Sequence, residues 1–228
     1  MVIPVGVSDS HTPMINAGSI MRWFRREFGQ ASALVRGVAP GNVTRAQVVA
    51  DHLELLGSFL HHHHTGEDKL LWPKLLERVP AELAPTVELM DRQHEGVHVV
   101  MEEMTAALAR WRAGAAQTDR DELAGALDRL HGLLLEHLAA EEEHILPLAS
   151  RSLTEEEWGE LGEDGMASQP KNKLPMIFGM IMKDGDPEVI RGMLANAPLL
   201  PRLLLPFVGP RAYTRYARRV YGPAAAAA

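Results

Sequence analysis

The 228-residue chain has no cysteine. Disulfides, thiolate nucleophiles, cysteine-ligated zinc and iron–sulfur clusters are therefore excluded. Basic charge is in short supply: 23 Lys and Arg face 30 Asp and Glu, a net charge of −7. Nucleic acid is thus not expected as a partner, because phosphate contacts need a concentrated basic surface. No run of about eighteen apolar residues exists, so no transmembrane helix is expected. The opening MVIPVGVSDSHTPM lacks the basic and long apolar regions of a secretory signal, and a cytoplasmic location is the expectation. Also missing are a G-x-S-x-G elbow, a Walker loop and any nucleotide or flavin fingerprint. Electrons for any redox chemistry must then come from a partner or from the substrate. No stretch alternates apolar and polar residues as a half-buried strand would.

What is present reads as helix. Ile20, Phe24, Phe28, Ala31 and Val35 recur at three-to-four spacing, the helical period, and predict a first helix over about 16–38. A break at "APGN" follows. The second helix is expected over 44–78 with Thr44 as N-cap, the third over 80–112 and the fourth over 119–149. Short connections favour antiparallel neighbours, so the fold class is all-α, an up-down-up-down four-helix bundle over 15–152. Residues 153–228 differ: from Met166 onward lie eight of the fifteen prolines and all three tyrosines. They are read as a helical or irregular extension packed on the bundle. Thr154 and Glu157 suggest a capping box, and Asp186 before Pro187 a helix start. Beyond residue 200, Arg202, Arg211, Arg215, Arg218 and Arg219 occur without an acid. Such a stretch can lie on an anionic membrane, but packing on the bundle, with its arginines solvated, is the expected role. The terminal alanine run is low-complexity and receives no function.

The chemistry concentrates in histidine. All eleven lie at or before His144. Two segments repeat one pattern: His63, Glu67 and Pro73 in the second helix, His137, Glu141 and Pro147 in the fourth. A His and a Glu four apart project from one helix face, one turn apart. The third helix adds His94 and His98 at the same spacing. Three helices thus each offer a two-residue chelate. Four imidazoles and two carboxylates suit a two-metal site in a bundle core. Left unpaired in the interior they would cost several kcal/mol, which a metal would offset. In the run His61–His64, consecutive residues are about 100° apart, so at most two face inward. The proline-anchored register selects His63; His64 with Asp68 is the competing register. His144 shares a face with His137 and could orient a ligand, His52 sits three turns before His63 as a core or second-site residue, and His131 points off-face. Trp72 and Trp111 are expected to pack.

At these residues the chain resembles the hemerythrin family, the HHE cation-binding domains. "FRREF", "GEDKLLWPKL" and "QHEGVH" look most like actinobacterial members. The resemblance implies a four-helix bundle holding two non-heme iron ions (Fe), oxo- or hydroxo-bridged. It assigns His94, His98 and His137 to one iron and His63 to the other, with Glu67 and Glu141 bridging. It also implies O2, peroxide or NO as small ligand. One departure stands out: where the family has a histidine on the first helix, this chain has Met21. Thioether is a poor ligand for ferric iron. The second iron would be weakly held, open to substrate, or completed by His62, His64, Asp68, a tyrosine of the extension, or water.

Three functions follow from the resemblance: an oxygen-binding or sensing module, a di-iron redox enzyme that consumes O2 or peroxide, and an iron-storage or iron-sensing protein. The missing imidazole tilts the reading toward the enzyme, with an unknown electron donor and a small-molecule substrate the sequence does not identify. His94-Glu95-Gly96-Val97-His98 is also a literal HExxH string. A one-zinc peptidase would leave His63, Glu67, His137 and Glu141 surplus to its ligand count.

Overall fold

Polar caps and prolines set the helix ends. The computed structural model describes residues 12–167 and 169–222. Residues 1–11, His11 among them, and the terminal alanine run lie outside the described residues. The chain runs α1 (Thr12–Arg36), α2 (Val43–Gly66), a π-helical turn (Glu67–Leu71), α3 (Trp72–Arg78), α4 (Pro80–Gly114), α5 (Gln117–Ala140), a second π turn (Glu141–Ile145) and α6 (Leu146–Ser152). Then come α7 (Glu155–Ala167), a short 3-10 turn, α8 (Leu174–Asp184), α9 (Pro187–Asn196) and α10 (Leu199–Tyr221). The fold is all-α, as the periodicity indicates. The second helix begins two residues earlier than Thr44 implies: Asn42 is the cap, its side chain accepting from the Arg45 amide at 3.0 Å. Asn is among the strongest N-caps.

Helices α1, α2–α3, α4 and α5–α6 make the bundle. Contacts run α1 to α2, α2 to α4, α4 to α5 and α5 back to α1, so successive helices are neighbours around the core. The inward seam of α4 is Leu83, Met90, Val97, Met104 and Trp111, at strict seven-residue spacing and all buried. Apolar residues form two clusters. The larger fills the bundle around Met21, Phe24, Phe28, Leu56, Leu60, Val97 and Leu134. The smaller gathers Leu71, Leu75, Leu83, Met90, Ile145 and Leu148. Three segments pass from one cluster to the other: α2 and its π turn between Leu60 and Leu71, α4 between Met90 and Val97, α5 and its π turn between Leu138 and Ile145. His63, Glu67, His94 and Glu141 fall in that gap, with His137 at its edge.

The extension is tied down at several points. The Thr154 box forms as the sequence suggests: Glu157 donates its amide to Thr154 Oγ1 at 3.2 Å, and its carboxylate accepts the Thr154 amide at 3.0 Å. Glu157 also pairs with Arg78 of α3 at 2.6 and 2.7 Å. Asp186 caps α9 by accepting from the Glu188 amide at 2.7 Å. α8 crosses α10 where Gly179 meets Gly209; a Cβ at Gly179 would lie 2.0 Å from the Gly209 carbonyl oxygen. The C-terminal part of α10 rests on α2, with Arg45 donating to the Arg219 carbonyl at 2.6 Å and to the Val220 carbonyl.

Candidate metal centre

Both repeats end in a proline, and the proline explains the π turns. Pro73 has no N–H to give the carbonyl four residues back, and its ring crowds that carbonyl. The ladder slips by one: the Trp72 amide bonds the Glu67 carbonyl, a five-residue step. Pro147 does the same in the fourth helix, where the Leu146 amide bonds the Glu141 carbonyl. Each π turn therefore starts on a repeat glutamate. Single π turns inside α-helices recur at functional sites. Arg25 of α1 fastens the second turn with a paired bond to Glu142 at 2.7 and 2.8 Å.

Five of the six sequence-selected residues meet here, joined by His64. His63 Nε2 lies 3.6 Å from Glu67 Oε1 and 3.6 Å from Glu141 Oε2. His94 Nε2 lies 3.5 Å from Glu67 Oε2, and His137 Nε2 lies 3.9 Å from Glu141 Oε2. His64 stacks on His94 with ring centres 4.3 Å apart, and both meet the edge of His137, at 5.0 and 4.8 Å. Two donor groups result. His64, His94 and His137 offer nitrogens within 4.8 Å of one another; His63, Glu67 and His137 offer a second such set. Glu67 faces both sets, one oxygen toward each.

The cluster is enclosed. His137, Glu67 and Glu141 are buried, at 0%, 1% and 2% exposure. The Nε2 atoms of His63, His64, His94 and His137, and an oxygen each of Glu67 and Glu141, are buried without a hydrogen-bond partner. Orphans of this kind are costly. Cations among these atoms would satisfy them, so the donor set fits a metal of the imidazole- and carboxylate-binding kind. Electrostatics without metal agree. Burial works against the charged imidazolium of His63, but Glu67 and Glu141 outweigh it and raise the group to about 9. Burial lowers His137 to about 4 and holds His64 and His94 down as well. Glu67 is pushed up by burial and by Glu141, whereas His63 holds Glu141 low against its burial.

The structure corrects several expectations. His98 is not in the cluster. It follows Val97 of the α4 seam by one residue, about 100° round the helix, and pairs with Glu102 at 3.5 Å with 61% of its side chain exposed. The HExxH string therefore builds no chelate, and Glu95 is exposed. His64 takes the fourth imidazole position. Both inward places of the His61–His64 run are used, so the two registers are not alternatives. Asp68 is no replacement ligand: it lies outside His94, 3.7 Å from Nδ1, and accepts the Trp72 indole N–H at 3.1 Å. Trp72 thus positions a carboxylate as well as packing. His144 is half-buried and makes no hydrogen bond or ion pair among the described residues, because the π turn carries it off the His137 face. Met21 is fully buried in the larger apolar cluster. His62 faces His61 rather than the cluster.

No tyrosine of the extension enters the cluster either. Tyr216 and Tyr221 instead join His52, a core residue, in a second polar network. Tyr216 Oη lies 2.8 Å from His52 Nδ1, and Tyr221 Oη lies 2.9 Å from His52 Nε2. Tyr221 donates to Glu27, whose other oxygen accepts from Arg26. Both phenols are held protonated, by burial first and by the Glu27 charge next. With Tyr216 donating to Nδ1 and His52 Nε2–H donating to Tyr221, every hydrogen in this network is placed. It needs no metal.

A helical bundle with six buried, unpaired imidazole and carboxylate donors defines a cation-binding helical protein. The hemerythrin HHE cation binding domain matches residues 22–150. The chain belongs to that family. No curated protein and no solved structure matches it.

Proposed function

We propose that the cluster holds two non-heme iron ions on His63, His64, Glu67, His94, His137 and Glu141, and that the protein is a redox enzyme acting on O2 or peroxide. The observation that carries this is Glu67, set between two imidazole groups with one oxygen directed at His63 and the other at His94. Iron itself is carried over from the family. Bound ferrous iron would supply electrons to a small oxidant.

The chain's own residues supply the rest. Glu67 and Glu141 bring negative charge that balances a cationic pair, which histidines alone would not. The Trp72 indole N–H holds Asp68, whose carboxylate lies 3.7 Å from the outer nitrogen of His94, beyond hydrogen-bond reach but close enough for its charge to favour an N–H there. Phe24 lies over His63 with ring centres 5.3 Å apart and shields that side from water. Six protein donors are too few to fill two six-coordinate ions, so positions would remain for a small ligand. The burial of His137 and Glu67 favours a small ligand such as O2, peroxide or NO. The same enclosure favours a second reading, a non-catalytic oxygen-, NO- or iron-binding module.

The test is metal content by mass spectrometry with optical spectra in air and after anaerobic reduction. Two irons per chain, with oxygen or peroxide consumed on turnover, are expected. Reversible oxygen bands without consumption would select the binding module. One zinc and no colour would overturn the iron assignment.

A further inference from the structure

The first half of α10 carries an exposed apolar face. Leu199 and Leu200 are each 70% exposed, Leu203 56%, Leu204 55%, Phe207 65% and Val208 45%. Gly209 is the first buried residue of α10, at the crossing with Gly179. At about 100° per residue, Leu200, Leu204, Phe207, Val208, Arg211, Arg215 and Arg218 fall within one arc of about 100°. All seven are exposed. One face of α10 is thus apolar over its first half and cationic over its second, along about 27 Å at 1.5 Å per residue.

The charge is uncompensated. From residue 189 to the end the chain has six arginines and no Asp or Glu, although its overall charge is −7. Arg211, Arg215 and Arg218 form no ion pair with a carboxylate among the described residues. Exposed apolar surface on this scale marks an interaction site, and what covers it must also meet three arginines. A second copy meets that requirement badly. Pairing two α10 faces sets arginines against arginines in one direction, or against leucines in the other. A lipid leaflet with anionic headgroups accepts both halves at once, acyl chains taking the leucines and phosphates the arginines. No helix among the described residues is long and apolar enough to cross a membrane, so the contact would lie along the surface.

We propose that α10 docks the protein on an anionic membrane surface through Leu200, Leu204, Phe207, Arg211, Arg215 and Arg218. The test is flotation of the full-length, metal-loaded protein with phosphatidylcholine vesicles and with equimolar phosphatidylcholine–phosphatidylglycerol vesicles. Binding to the anionic vesicles, released by high salt, is expected. R211Q/R215Q/R218Q should weaken partitioning by roughly fivefold per arginine. Leu204→Ser with Phe207→Ser should abolish it; both sites are exposed, so helicity and metal content should be unchanged. No flotation, or equal binding to neutral vesicles, overturns the proposal. So does light scattering that shows a dimer lost in the serine variant without vesicle binding, which would assign the face to a second copy.

Discussion

Glu67 reaches His94 at 3.5 Å with one carboxylate oxygen while its other oxygen lies 3.6 Å from His63. The two histidines sit on different helices, and the glutamate between them starts a π turn. This relation separates the ligand set of the structure from the one implied by resemblance alone. His64→Ala should lower bound metal, because its Nε2 is buried and otherwise unpaired. His98→Ala should leave metal content unchanged, since that side chain faces solvent. Metal analysis of the two purified variants decides; the reverse pattern would restore His98 to the site.

The Tyr221 hydroxyl fastens the extension to the bundle. Tyr221→Phe removes the phenol donor of buried Glu27, which keeps Arg26 and, at 3.3 Å, His52 Nε2. Losing a hydrogen bond to a charged group costs about 1.5–3 kcal/mol. The variant should melt earlier and exchange its 210–221 amides faster, with metal content retained. An unchanged melting curve and exchange pattern would mean the network contributes nothing to docking.

Gly179 marks the closest approach of α8 and α10. Gly179→Ala puts a methyl group 2.0 Å from a backbone oxygen, so the helices must separate. Overpacking of this kind costs about 1–3 kcal/mol or more. Limited proteolysis should then cut the extension first and spare the bundle. Resistance equal to the parent chain would show that the crossing is looser than described.

Glu157 links α7 to α3 and gives a pH signature. Arg78 holds its carboxyl down at about 2, against a slight effect of burial. The folded group is depressed below its unfolded value, so its contribution is present above about pH 4.3. It fades as the pH falls toward 2. Protection of the 155–167 amides, taken against their intrinsic exchange rate at each pH, should therefore fall on acidification over that window, and Glu157→Gln should flatten the response. The pair is partly exposed, so the effect is small and weakens with salt.

The sequence alone determined the helical class, the four bundle segments and the repeat of His, Glu and Pro. These depend on local spacing: apolar residues at the helical period, and a proline that must break the ladder wherever it sits. It also marked His63, Glu67, His94, His137 and Glu141, because i, i+4 pairs share a face in any helix. Tertiary structure decided between His64 and His98. Which side of α4 faces inward depends on the seam of Met90, Val97 and Met104 against its neighbours, not on the spacing of two histidines. His52 was legible as an inward residue, but its partners Tyr216 and Tyr221 lie more than 160 residues further along the chain. Nothing local connects them. Only the packing of α10 across α1 and α2 brings phenol, imidazole and carboxylate together, and the same packing leaves the leucines of α10 facing outward.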